Sequence, residues 1–205
     1  MPTITQEALI NEIQSRAADQ DRFLVAIAGA PGSGKSTLAA GLAARLGVSA
    51  AVLPMDGFHL ENDQLQRMGL MHRKGAPETF DAESFVKLLR NVRRKGAVPY
   101  PTFDREADRT IANGGRIAED TRIVLVEGNY LLLKTPPWSD LAGLFDLTVR
   151  LQVSRTELET RLISRWLEYG LPPKDARARA LNNDMRNVGF VEENSRGPDY
   201  TLETG

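Results

Sequence analysis

The sequence predicts one α/β domain in three layers, with helices on both sides of a mainly parallel central sheet. Three observations carry this expectation. Phe23-Leu-Val-Ala-Ile-Ala28 is an unbroken apolar run, as expected of a strand covered on both faces. A glycine-rich turn follows it directly, and the Ala- and Leu-rich stretch Thr37 to Leu46 then reads as a helix. Strands and helical stretches go on alternating after that, the pattern of parallel strands joined by crossovers.

Ahead of the first strand, Ala8, Leu9, Ile13 and Ala17 recur at helical spacing, with Thr3 or Thr5 as N-cap, so residues 1–20 form an N-terminal helix. Ala51 to Met55 is a second short strand ending at Asp56. Residues 81–95 form a helix with Phe85, Leu88, Leu89 and Val92 on one face. The basic run Arg90, Arg93, Arg94 and Lys95 ends that helix, where cations offset the dipole, and it is assigned no site. Asn113-Gly-Gly115 between short segments predicts a small hairpin at about 105–118, with its turn at those residues. Ile123 to Val126 is a third buried strand ending at Glu127, and Leu147 to Val153 a fourth. Ser154 and Glu157 form a capping box that opens a helix over about 154–168. A further helix starts near Pro172-Pro173, and Tyr200 to Glu203 reads as a last strand. No repeat or linker divides the chain, so residues 1–205 form one domain.

Lys and Arg number 26 against 27 Asp and Glu, a formal net charge of −1, which argues against nucleic acid or an anionic membrane held by bulk charge. With no cysteine, disulfides, thiol nucleophiles and thiolate-bound metals are excluded. The N-terminus lacks the apolar run of a signal peptide, and no stretch has the length of a membrane span. A soluble, cytoplasmic protein is expected. A homodimer is left open.

Gly29-Ala30-Pro31-Gly32-Ser33-Gly34-Lys35-Ser36 matches G-x-x-x-x-G-K-[ST] without departure, the phosphate loop of P-loop nucleotide-binding proteins. Glycines let successive N–H groups turn inward onto phosphate oxygens, and the following helix aims its positive end at the same anion. Lys35 is expected to reach the β- and γ-phosphates of ATP, Ser36 to ligate Mg²⁺, and Thr37 to add a hydroxyl near the α-phosphate. The predicted fold is therefore the three-layer P-loop NTPase type. Ligands bind outside the carboxyl ends of such strands, where Asp56 and Glu127 both fall. A phosphoryl transferase needs one carboxylate to orient or deprotonate the acceptor hydroxyl and another for Mg²⁺ or its waters. His59, close to Asp56, is read as a hydrogen-bonding partner of a substrate hydroxyl.

Five stretches together resemble the phosphoribulokinase/uridine kinase/pantothenate kinase family over roughly residues 20–200. They are the phosphate loop, Asp56-Gly-Phe-His59, Arg73-Lys-Gly-Ala-Pro-Glu-Thr-Phe-Asp81, Val126-Glu-Gly-Asn-Tyr130 and Arg161-Leu-Ile-Ser-Arg165. Within the family, the set looks most like bacterial fructokinases or fructose transport system kinases. The resemblance implies an ATP- and Mg²⁺-dependent kinase acting on a small-molecule hydroxyl, with a sugar such as fructose favoured. It makes Asp56 the base or acceptor-orienting group, gives Glu127 to Mg²⁺ or the acceptor, and makes Arg161 and Arg165 a lid pair over the transferred phosphate. Arg73, Lys74 and Asp81 fall where family members contact the acceptor, and Tyr100, Asp104 and Arg105 in the stretch that walls it. Asn187 and Asn194 fall in a segment near the adenine or acceptor. Uridine kinases carry Asp-Ser-Phe-Tyr where this chain has Asp56-Gly-Phe-His59, which argues against uridine. Lys74 to Glu78 looks closer to pantothenate kinase, whereas the region after Asp104 does not. Pantothenate, a nucleoside, or a macromolecular partner of a regulatory NTPase are the competing readings. The absence of an Asn-Lys-x-Asp motif disfavours a GTPase.

Overall fold

The computed structural model describes residues 1–94 and 96–203. Lys95, the last member of the basic run, lies outside the described residues, as do Thr204 and Gly205 at the end of the predicted domain. Five parallel strands make the main sheet among the described residues: β1 (Phe23–Gly29), β2 (Ala50–Pro54), β5 (Ile123–Gly128), β6 (Leu147–Gln152) and β7 (Tyr200–Glu203). Their spatial order is β2-β5-β1-β6-β7, so the most apolar strand, β1, is central and every one of its residues is buried. Strand geometry sends alternate side chains to opposite faces, and the core divides accordingly. Leu24 and Ala26, with Val124 and Val126, pack against α4 (Ala82–Val92) through Phe85 and Leu89. Val25 and Ile27 pack with Leu125 against α1 (Gln6–Ala17) and α2 (Lys35–Leu46) through Leu9, Ile13 and Leu42. The three predicted layers follow from that alternation.

Helix ends are set by side chains. Thr5 caps α1, accepting from Ala8 N at 3.2 Å, and Ser154 caps α5 (Arg155–Glu168), accepting from Glu157 N at 3.3 Å. The helix predicted over 81–95 is α4, which ends at Val92. Asp81, expected at the acceptor, is the exposed N-cap of α4 and accepts from Ser84 N at 3.0 Å. Beyond α5, the chain runs through α6 (Pro173–Arg179), a π turn (Ala180–Asp184) and α7 (Met185–Asn194). Leu158, Leu162, Ala180 and Val188 form a small core beneath this helical cap, against Ala30 of the phosphate loop. No helix among the described residues is long and apolar enough to cross a membrane.

The hairpin insertion is present, but its turn lies elsewhere than the sequence predicts. Strands β3 (Val98–Asp104) and β4 (Arg109–Ile117) pair antiparallel, and the chain reverses at residues 105–108. Asp104, expected to face the acceptor, organises that reversal by accepting from Glu106 N and Ala107 N, both at 3.0 Å. Asn113-Gly-Gly115 instead lies within β4, opposite a register jump between Tyr100 and Thr102. Asn113 has φ 56°, and a Cβ on Gly115 would fall 2.3 Å from the Tyr100 ring. These turn-forming residues therefore make a bulge with room for an aromatic ring.

Candidate active site

Topology brings the catalytic candidates to one edge of the sheet. β2 and β1 flank β5, with Pro54 and Ile27 in register with Glu127. The phosphate loop, Asp56 and Glu127 consequently emerge side by side. From Gly29 the chain passes through Ala30, Pro31, Gly32 and Ser33 to Gly34, whose φ of 86° is open to glycine and strained for other residues. Lys35 then opens α2. Its side chain is buried, and desolvation pushes its pKa down while Glu127 and Asp56 oppose that shift. Glu127, 4% exposed, is pushed up by burial and held back by Lys35 and by a hydrogen bond with Ser36. Ser36 and Thr37 are exposed at the helix start.

Hydroxyl and carboxylate oxygens are hard donors of the kind Mg²⁺ takes, and Mg²⁺ commonly rests on one or two protein oxygens plus nucleotide phosphates. The adjacent Ser36 and Glu127 fit such an ion. No group of three or more His, Asp or Glu suited to a metal occurs among the described residues.

Beside Lys35 lies a cavity of about 510 Å³, in the range of small-molecule sites. With Lys35, it gathers Pro31, Asp56, His59, Lys74, Arg105 and Arg165 of the residues singled out from sequence. Arg105, at the hairpin tip, donates to Asp56, and Tyr169 at the end of α5 hydrogen-bonds the same guanidinium. Lys74 reaches Asp108 at 2.7 Å and Asn62 at 2.6 Å. His59 stacks on Phe80 with ring centroids 4.0 Å apart and meets Phe103 at 4.7 Å. Burial pushes its pKa down to about 4, so the ring is neutral at pH 7.

Other predicted residues lie outside the cavity lining. Arg73 donates to Asn183 Oδ1 at 2.6 Å and to Asn187 Oδ1 at 2.9 Å. Tyr100 sends its hydroxyl to the Val52 carbonyl at 3.1 Å. Arg161 pairs with Glu157 at 2.7 Å and has its guanidinium 4.0 Å from where a Cβ on Gly34 would stand, on the donor side. Asn194 donates to the Phe190 carbonyl at 2.9 Å.

The cavity also holds residues that sequence reasoning missed: Asn129, Asp108, Trp166, Tyr169, Arg179 and Asp184. Asn129 stands two positions past Glu127, where the strand-end rule could have found it. Its Oδ1 is buried without a hydrogen-bond partner. Arg179 and Asp184 carry no local signal, because their stretch reads as an ordinary polar helix.

Residues 24–166 match the Phosphoribulokinase / Uridine kinase family. A Schizosaccharomyces pombe protein called "Putative uridine kinase C227.14" is 37% identical over 210 residues, covering 94% of this chain and 89% of that protein. The pantothenate kinase of Mycolicibacterium vanbaalenii is 30% identical over 151 residues, which cover 71% of this chain but 48% of the enzyme. Among solved structures, a "putative fructose transport system kinase" from Silicibacter sp. TM1040 superposes with a TM-score of 0.92 at 43% identity, covering 98% of this chain and all of that one. The phosphate loop, the carboxylates at the strand ends and these likenesses agree: the chain belongs to the phosphoribulokinase / uridine kinase family, ATP-dependent kinases that here phosphorylate a hydroxyl of a small molecule.

Proposed function

We propose that the acceptor is a sugar of the fructose type, bound in the cavity between the hairpin and the helical cap. The carrying observation is the neutral His59 ring set against Phe80 and Phe103 beside Asp56. Aromatic faces suit the C–H surface of a sugar, while a neutral imidazole and an amide such as Asn129 exchange hydrogen bonds with hydroxyls. Three cations of the lining are already matched by carboxylates, Lys74 by Asp108, Arg105 by Asp56 and Arg165 by Asp184. The name given to the Silicibacter relative supports the same reading. Names given to other relatives favour pantothenate or a nucleoside as the second reading.

In this reading Asp56 receives the proton of the acceptor hydroxyl once the sugar displaces Arg105 from it. Lys35 and Arg165 neutralise charge on the transferred phosphoryl group, and Arg161 adds to them from the loop side. Ser36 and Glu127 would hold Mg²⁺, which when bound offsets phosphate charge. Closure of the helical cap excludes water that would otherwise compete with the sugar. Gly29 to Thr37 hold the phosphates through backbone and hydroxyl groups. A protein of this kind works in the cytoplasm, where ATP is supplied.

A coupled ADP-release assay across ketohexoses, aldohexoses, nucleosides and pantothenate tests the proposal. Turnover stimulated most by a ketohexose is expected. Stimulation by pantothenate or a nucleoside alone would replace the sugar, and hydrolysis that ignores every small molecule but rises with a protein partner would favour a regulatory role.

A further inference from the structure

Residues Pro173 to Asn194 are helical throughout, interrupted by the π turn Ala180–Asp184. π turns widen a helix locally and are frequent at functional sites. This one sets two adjacent buried side chains against different neighbours. Asn183 accepts from Arg73 Nη1 at 2.6 Å and donates to the Lys74 carbonyl at 3.0 Å. Arg179 strengthens that side by donating to the carbonyls of His72 at 2.9 Å and Lys74 at 3.0 Å. Asp184 faces the other way, accepting from Trp166 Nε1 at 2.5 Å and from Arg165 Nη2 at 3.4 Å.

Asp184 is 6% exposed. A buried ion pair is commonly no more stabilising than apolar packing of the same volume, so packing alone gives no reason for a carboxylate here. Arg165 supplies a reason. Its head lines the cavity and its positive field reaches Lys35, while its Nε is buried with no hydrogen-bond partner. The guanidinium is thus held through Nη2, with Nε enclosed and unpaired, next to the lysine expected to meet the terminal phosphates.

We propose that Asp184 is a positioning residue for phosphoryl transfer. It fixes Arg165 on the donor side of the cavity, where the guanidinium head can meet a phosphate oxygen. Together with Asn183 it also ties that arginine to the acceptor-side strap His72–Lys74. Holding the arginine in place beforehand removes the ordering cost when nucleotide arrives. The assignment rests on the donor half of the proposed function and is independent of which acceptor is used.

The test is calorimetric binding of Mg²⁺ and the non-hydrolysable ATP analogue AMP-PNP to the full chain and to Asp184→Asn, Arg165→Ala and the double variant. Asp184→Asn keeps an oxygen for Trp166 and removes the charge that holds Arg165. Loss of Arg165 should weaken the analogue about tenfold, as removal of one charge-assisted hydrogen bond does. Asp184→Asn should weaken it about fivefold, and the double variant should bind within about twofold of Arg165→Ala alone, because the two residues act as one. Wild-type affinity in Asp184→Asn, or factors that multiply in the double variant, would overturn the assignment. A purely structural role lowers the unfolding temperature without that non-additivity. Should Asp184→Asn not fold, Asp184→Ser, which also leaves Trp166 an acceptor, enters the same cycle. A chain that behaves as expected here yet phosphorylates no sugar loses the fructose-like acceptor and keeps the role of Asp184.

Discussion

Acidification combined with replacement of His59 by Gln probes the environment from which the acceptor assignment is drawn. The imidazole sits against Phe80 and Phe103, its Nδ1 is buried without a partner, and burial pushes its pKa down to about 4. Desolvation, the largest influence, is joined by Lys74 and Arg105 and opposed by Asp56 and Asp108, which favour the charged ring. In an unfolded chain histidine titrates near ~6.5. Between the two values the unfolded chain binds more protons than the folded one, so stability attributable to His59 falls as pH falls. At about pH 5 most of the unfolded population carries the proton and little of the folded population does, which costs roughly 2 kcal/mol relative to neutral pH. Glu127 works in the opposite direction, since burial raises its pKa and the folded chain takes up its proton more readily. The wild-type curve alone therefore does not isolate His59, whereas its difference from His59→Gln does. Urea unfolding of both proteins at neutral pH and at about pH 5 is the measurement. The wild type should lose about 2 kcal/mol more than the variant. Equal losses would refute a buried, neutral His59 and with it the hydroxyl-reading wall.

Asp56→Asn should lower phosphoryl transfer by about a hundredfold or more, the scale of general-base catalysis, with AMP-PNP affinity little changed; transfer at the wild-type rate would remove Asp56 from the chemistry. Gly57→Ala would place a Cβ 1.9 Å from the Pro101 carbonyl oxygen, so β3 must move away from the Asp56 turn. A loss of about 1–3 kcal/mol in thermal unfolding and a raised acceptor KM are expected, and an unchanged unfolding temperature contradicts the packing. Ser36→Ala should raise the Mg²⁺ concentration for half-maximal turnover at least about tenfold, since even an outer-shell partner is worth that much; an unaltered Mg²⁺ titration would take Ser36 out of the metal site.

Legibility in the sequence follows the distance over which each feature is built. The phosphate cradle needs consecutive backbone N–H groups, so Gly29 to Thr37 announce it within nine residues. β1 is legible because burial on both faces leaves Phe23 to Ala28 uniformly apolar, and Asp56 and Glu127 because strand ends in such sheets face the ligand. The hairpin turn is not legible because Asn113-Gly-Gly115 has turn chemistry that the chain spends on a bulge beneath Tyr100, while the reversal relies on the less conspicuous side chain of Asp104. Asp81 and Arg73 have the chemistry of ligand contacts, yet one caps a helix and the other braces Asn183 and Asn187 more than a hundred positions away. Arg179 and Asp184 become cavity residues only through tertiary packing, which no local pattern encodes.

In the proposed function, the two halves of the site are anchored in different ways. The donor half stands on the central strands, where β1 is wholly buried and Glu127 is in register with both neighbouring strands. The acceptor half is assembled from the hairpin, the segment around Lys74 and the helical cap, which side-chain contacts tie to one another. Arg179 and Asn183 grip the Lys74 carbonyl, Thr110 donates to the His59 carbonyl at 3.2 Å, and Lys74 reaches Asp108 across the hairpin. Tyr130, just beyond β5, reaches the Gly75 carbonyl and is one strut from the sheet side. Substitutions among His59, Phe103, Asp108 and Asn129 can therefore reshape the acceptor wall while leaving the phosphate loop in place. In the proposed reading, that separation lets one donor cradle be combined with different acceptor walls. In that reading, the acceptor wall combines residues that follow β2 and β5, His59 and Asn129, with residues of the hairpin and the cap.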